Sequence, residues 1–201
     1  MKYVDMNEVV FVSGRLAFPG LGNCHGVVYV NQVGMFGYHA AGNPLDSEGK
    51  ADAFGSFVKT HNRGGAAGVC LYGACPTNRH GKDKDHKAEL KMIAKAIGFD
   101  GPLRGYRWNM AQLGWGTTYV EFRFQQMAVS IFIEDFSNGT AQAGNNAKWQ
   151  DHKYVSQVKV LSNPLDNNSP QQMTSKITVR STVTTAVTRH GVAQQVQAWK
   201  L

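Results

Sequence analysis

Two rhythms of apolar residues alternate along the first half of this chain. Val9-Val10-Phe11-Val12, and the runs over residues 26–30 and 34–39, are short and rich in β-branched and aromatic side chains, which predicts strands. Ala51, Phe54, Phe57 and Val58 instead recur at helical spacing, with Asp46 or Ser47 placed to cap the helix. A short buried strand is expected over residues 66–72. Leu90, Ile93, Ala94 and Ile97 then form the inward stripe of a second helix, stopped by Gly98. Beyond Gly101 the texture becomes that of strands, over residues 119–124, 127–133, 154–161 and 177–188. Ser137-Asn138-Gly139 reads as a turn, Gly144-Asn145-Asn146 as a loop, and residues 162–175, rich in Asn, Gln, Pro and Ser, as an exposed loop or linker. This order predicts an α/β protein: a mixed β-sheet or sandwich core flanked by helices, with a core over residues 1–110 and a β-rich extension of the same domain over 111–201.

Cys24 and His39 lie on either side of the first hairpin. If Asn31 and Gln32 form its loop, Val30 pairs with Val33 and Cys24 falls directly opposite His39; a four-residue loop over 30–33 gives the same register. Opposed residues share a face with Cβ atoms about 4.5–5.5 Å apart, within reach for an imidazole to take a thiol proton. His25 must then point to the other face. Gly20, Gly22 and Gly26 let the backbone bend beside the cysteine, so that its N–H groups can receive a developing oxyanion.

Leu21-Gly22-Asn23-Cys24, followed by apolar strand residues and a glycine-containing strand ending in His39, resembles the bacterial chemoreceptor glutamine deamidases and the catalytic domain of the cytotoxic necrotizing factor toxins. The resemblance covers roughly the first half of the chain, with the family's later helix, strand and helix fitting residues 47–61, 66–73 and 85–97. It implies a fold of that type, with Cys24 as nucleophile and His39 as general base and acid. The activity it implies is hydrolysis of a protein glutamine side chain through a thioester, without metal or organic cofactor. Asn23 is a candidate for the oxyanion site. The chemoreceptor enzymes support their histidine with a threonine six residues before the cysteine, where this chain has Phe18. The toxins use a backbone carbonyl, so the orienting group expected here is a carbonyl near Ala17 or Phe18, or the hydroxyl of Ser13. With an amine in place of water the same acyl-enzyme would give transglutamination. The cysteine-to-histidine interval and the long second half favour a bacterial toxin or effector, acting on a host or competitor protein such as a small GTPase, over a chemoreceptor modifier.

Composition narrows the alternatives. Of 201 residues 42% are hydrophobic, enough for one substantial core. No apolar run predicts a membrane span and the start lacks the apolar region of a cleavable signal, so the expectation is a soluble protein, in the bacterial cytoplasm before any delivery. Three cysteines leave one unpaired, which suits a free thiol. The net charge of +7 includes Lys82, Lys84, Lys87, Lys91 and Lys95 around one helix, with Arg104 and Arg107 after it. A solvated helix face accounts for these lysines, and no nucleic-acid signature accompanies them, so an acidic protein substrate is the better partner. Cys70, Cys75, His80 and His86 form a competing zinc reading, weakened by the loose C-x4-C spacing; two unligated thiols, or a small disulfide in an oxidising compartment, are the other readings. A papain-like cysteine peptidase using Cys24 and His39, and a non-catalytic binding module, are the remaining functional classes.

Overall fold

A computed structural model describes residues 1–42, 47–125, 128–135, 178–181 and 196–201. The element order is β1 (Lys2–Tyr3), β2 (Val9–Val12), β3 (Arg15–Phe18), β4 (His25–Asn31), β5 (Met35–Ala40), α1 (Ser47–His61), a 3-10 turn (Arg63–Gly65), β6 (Gly68–Pro76), α2 (Asp83–Ile97), β7 (Leu103–Trp108), α3 (Met110–Leu113), β8 (Thr118–Gln125), β9 (Ala128–Asp135), β10 (Thr178–Ser181) and β11 (Val196–Lys200). The anticipated turn at 137–139, the loops at 144–146 and 162–175, the strand at 154–161 and most of that at 177–188 lie outside the described residues. So does the cap at Asp46.

The strands form two mixed sheets, ordered β1-β3-β8-β9-β10 and β11-β7-β6-β4-β5-β2. Alternation along β4 explains how they stack. Val28 and Val30 face a core shared with Leu16, Phe18, Val120, Phe122 and Ile131 of the other sheet, so the sheets pack face to face. Val27 and Tyr29 face the opposite way, into a second core with Phe54, Phe57 and Val58 of α1 and Leu90, Ile93 and Ile97 of α2. Both faces of β4 are therefore covered, which is why its sequence reads as a nearly unbroken apolar run. The protein is a mixed α/β sandwich with two helices on the outer face of one sheet. Strands of the second half enter both sheets, β8 pairing with β3 and β11 with β7.

Gly98 ends α2 in the left-handed conformation (φ 80°), its N–H reaching the carbonyls of Ala94 and Lys95. Arg107, unlike the lysines of α2, is not a solvated charge. It is 3% exposed, and its guanidinium donates to Asp83 Oδ1 (2.5 and 2.9 Å) and to the His80 carbonyl (2.7 Å). No helix among the described residues is long and apolar enough to cross a membrane.

The two outer helices meet at Gly55, where a Cβ would collide with the Ala96 backbone carbonyl. Ordinarily Ala in place of Gly favours a helix by about 1 kcal/mol. At Gly55 the collision with backbone wins, and Gly55→Ala is expected to destabilise by about 1–3 kcal/mol. Gly49, on the same helix with nothing within 4 Å of a Cβ, should show the opposite sign, Gly49→Ala stabilising by about 0.4–1 kcal/mol. Urea unfolding of the two variants checks the pair. Equal signs would mean that α1 and α2 do not pack here as described.

Candidate active site

The hairpin turns one residue later than anticipated, which shifts each cross-strand pairing by two. Val30 pairs with Met35 and Gly26 with His39, and the loop residues are Gln32 and Val33. Asn31 is the reason. Its buried side-chain oxygen accepts the N–H groups of Val33 and Gly34, both at 2.9 Å, while its amide donates to Asn62 Oδ1, so Asn31 begins the turn instead of filling its centre. A slip of two residues preserves the face on which each side chain lies. Cys24, just before β4, is thus diagonal to His39 instead of opposite it. Both remain on the side of the sheet that faces the sandwich interior.

His39 is anchored by the segment that precedes β2. The main chain of residues 7 and 8 brackets it, Asn7 N–H donating to the His39 carbonyl and His39 N–H to the Glu8 carbonyl. The same segment brings the Val4 carbonyl 2.8 Å from His39 Nδ1. A carbonyl can only accept, so Nδ1 carries the proton and Nε2 presents its lone pair. Nε2 is buried with no hydrogen-bond partner among the described residues. The orienting group is therefore Val4, which Ala17 holds through a Val4 N–H to Ala17 carbonyl bond; neither a carbonyl at residue 17 or 18 nor the Ser13 hydroxyl orients the imidazole. Phe18 instead packs its ring edge-on to His39, with centroids 5.8 Å apart, over the space left by the missing side chain of Gly26.

Cys24 keeps 7% exposure and His39 none, so an incoming group can reach the cysteine but not the imidazole from solvent. Burial pushes the Cys24 thiol up, against the lowering effects of Arg79, the Asn23 N–H and Lys50. Burial also drives His39 down to about 4 from an ordinary 6.5; the Val4 carbonyl opposes this and Arg79 adds to it. The resting pair is thus a neutral thiol and a neutral imidazole, with no hydrogen bond between them. Such contacts commonly tighten only when substrate is bound.

The His39 shift links stability to pH. The unfolded imidazole takes its proton near 6.5 and the folded one near 4, so between those values the unfolded chain binds more protons. The stability held by neutral His39 is full above pH 6.5 and is lost as pH falls toward 4, in an amount of about 3 kcal/mol. Urea unfolding from pH 7.5 to 4 should show it as a loss that His39→Gln shares only in part. His25 is lowered in the same direction by burial and contributes to the residual slope. A His39→Gln profile as steep as that of the wild type would refute the assignment.

On the helix side of the sheet lies a polar cluster that the spacing of Cys24 and His39 does not predict. His25 points there, as strand alternation requires. Its Nδ1 is 2.8 Å from Glu89 Oε2, which also accepts from His80 Nε2 (2.5 Å) and Arg79 Nε (3.1 Å), while Arg79 Nη2 reaches Glu89 Oε1 at 2.5 Å. Burial would raise the Glu89 carboxyl, but His25, His80 and Arg79 together hold it far below its usual range. Arg79 also donates to the carbonyls of Asn23 (3.1 Å) and Gly42 (2.7 Å). It therefore clamps the loop before Cys24 to the loop that leaves the His39 strand. The Asn23 side chain itself is exposed.

The residues of the zinc reading divide between the two faces of β6. Cys70 faces the sandwich with Tyr72 and Ala74, whereas Cys75 lies on the helix side with His86 and His25, so the two thiols cannot meet in a disulfide without breaking the strand. All three cysteines are free. The chain matches no family model and no curated protein.

Proposed function

We propose that this chain is a cysteine-dependent protein glutamine deamidase, with Cys24 as nucleophile and His39 as general base and acid. One observation carries the reading: the Val4 carbonyl fixes His39 with its free Nε2 lone pair on the same sheet face as Cys24. A backbone carbonyl in that role is also what the resemblance to the necrotizing factor toxins implies. The deamidase-like fold belongs to the same proposal, supported by the helix, strand and helix that follow the hairpin.

The steps follow from the residue types. Once the substrate amide has docked, Cys24 gives its proton to His39 Nε2 as its sulfur attacks the glutamine side-chain carbon. The oxyanion is received by backbone N–H groups at Cys24. Arg79 holds the Asn23 carbonyl, and in a trans peptide the Cys24 N–H must point the opposite way. The His39 proton passes to the departing nitrogen, ammonia leaves, and a thioester remains. Water, giving a proton to His39, then attacks the thioester and releases glutamate and the thiol. With an amine as the acceptor the product is an isopeptide instead. The positive net charge suits an acidic protein surface, a small GTPase among the candidates, and the setting proposed is that of a bacterial toxin or effector.

The test incubates wild type and Cys24→Ser with bacterial and eukaryotic extracts and maps glutamines that gain about one dalton by mass spectrometry, the change when an amide NH2 becomes OH. Cys24-dependent gains at defined glutamines are expected. Cleaved peptides in their place would make the protein a peptidase, and a folded protein with no Cys24-dependent product would make it a binding module.

A further inference from the structure

His25, Cys75 and His86 come from three separate elements, β4, β6 and α2, yet their ligand atoms lie within 4.8 Å of one another, all buried. The two imidazoles face each other nitrogen to nitrogen, His25 Nε2 to His86 Nε2, at 3.0 Å. In a tetrahedral zinc site with Zn–N bonds of 2.0–2.1 Å, two such nitrogens stand about 3.3 Å apart, and a nitrogen and a thiolate sulfur about 3.6 Å. The imidazoles need open by only a few tenths of an ångström. Gly73 lies beside both nitrogens. A Cβ there would collide with His25 Nε2 and come within 2.8 Å of His86 Nε2, so the sheet leaves this space clear where any other residue would fill it. His25 is also supported from behind, its Nδ1 proton going to the Glu89 carboxylate, the arrangement that orients a metal-bound histidine.

We propose that His25 Nε2, His86 Nε2 and Cys75 Sγ form a binding site for a zinc-class divalent cation, with one coordination position left for water or another ligand. Two nitrogens and one thiolate are a donor set that this borderline-soft ion prefers over harder cations. The neighbouring set of His25, His80 and Glu89 is not the site. There Arg79 already occupies both oxygens of Glu89, and its guanidinium repels a second cation.

Without an ion the same atoms form a proton chain. Trp199 Nε1 can only donate, and it lies 3.2 Å from His86 Nδ1. His86 Nδ1 therefore accepts, its Nε2 carries the proton and donates to His25 Nε2, and His25 Nδ1 donates to Glu89. Metal binding releases the Cys75 thiol proton and moves the His86 proton from Nε2 to Nδ1. There it confronts the Trp199 N–H, and the indole on β11 must turn away. β11 thereby senses the state of the cluster.

The full chain, reduced, denatured and refolded with cobalt(II), tests this despite the buried position. A sulfur-to-cobalt charge-transfer band is expected, with a raised melting temperature. The band should vanish in Cys75→Ser, persist in Cys24→Ser, and require at least tenfold more cobalt in His86→Asn. Refolded wild type that gains neither band nor melting shift overturns the proposal whatever the variants do. A band that survives in Cys75→Ser overturns it equally, because the thiolate would then lie elsewhere.

Discussion

Glu89→Ala is expected to destabilise the protein by about 3–5 kcal/mol, the loss typical when one partner of a buried ion pair is removed. The Glu89 side chain is 2% exposed, and Arg79, His25 and His80, which pair with it, are 1%, 0% and 4% exposed. Truncation leaves the Arg79 guanidinium buried without a counter-charge and two imidazoles without their acceptor. Glu89→Gln keeps the shape and one acceptor oxygen, so its loss should be intermediate. Arg15→Ala is the comparison. Arg15 is 42% exposed, and its partner Glu121 keeps a second cation in Arg123, so that variant should change stability by less than about 1 kcal/mol. Urea unfolding of the three variants at pH 7 gives the ranking. A Glu89→Ala loss no larger than that of Arg15→Ala would show that the cluster is not buried as described. Since Arg79 also holds the carbonyls on either side of the hairpin, Glu89→Ala should additionally slow Cys24 chemistry in whatever fraction remains folded.

The inward stripe of α2 shows where sequence reasoning stopped short. Leu90, Ile93, Ala94 and Ile97 follow from apolar periodicity, but the same stripe carried back toward the N-terminus passes through Glu89 and His86, both buried. Polar residues at core positions of a helix are the signal for a buried network, and periodicity scored on apolar residues alone passes over them. Strand alternation likewise puts His25 on the face opposite Cys24 but does not say what waits there, because Glu89 lies sixty-four residues away along the chain. The hairpin itself was legible in its strands and in the faces of its side chains. Its register was not, because an Asx turn at Asn31 depends on a side-chain oxygen bonding two backbone N–H groups, whereas the simple loop count treats Asn31 as a loop residue. Val4 was invisible for a different reason. Its contribution is a carbonyl, which every residue possesses, and only the path of the N-terminal segment beside His39 singles it out. β3 and β7 were missed because Arg15, Arg104 and Arg107 interrupt their apolar patterns, although Glu121 and Asp83 satisfy two of those arginines in the fold.

His39→Ala is expected to lower the rate of Cys24-dependent glutamine modification by about 10²–10⁴, the usual contribution of a positioned base, with little change in KM. The imidazole is completely buried, so it contributes to proton transfer and not to holding the substrate. For the same reason added imidazole should fail to rescue the variant. The wild-type pH profile carries the sharper test. A base must be neutral to act, and burial holds His39 neutral down to about pH 4, so kcat/KM on protein verified as folded should stay level through pH 6.5 and fall only near 4. An exposed imidazole would give its acid limb near its ordinary value of 6.5. The neutral thiol sets the opposite requirement. With Cys24 raised and His39 lowered, burial disfavours the thiolate–imidazolium pair in the resting protein, and Arg79 stabilises the thiolate while opposing the imidazolium. Proton transfer must therefore accompany attack instead of preceding it, and Cys24 should alkylate slowly at mildly acidic pH in the absence of substrate. Rapid alkylation below the ordinary thiol range would show that the pair rests as thiolate and imidazolium, and an acid limb near 6.5 would show that His39 is more open to water than its complete burial allows.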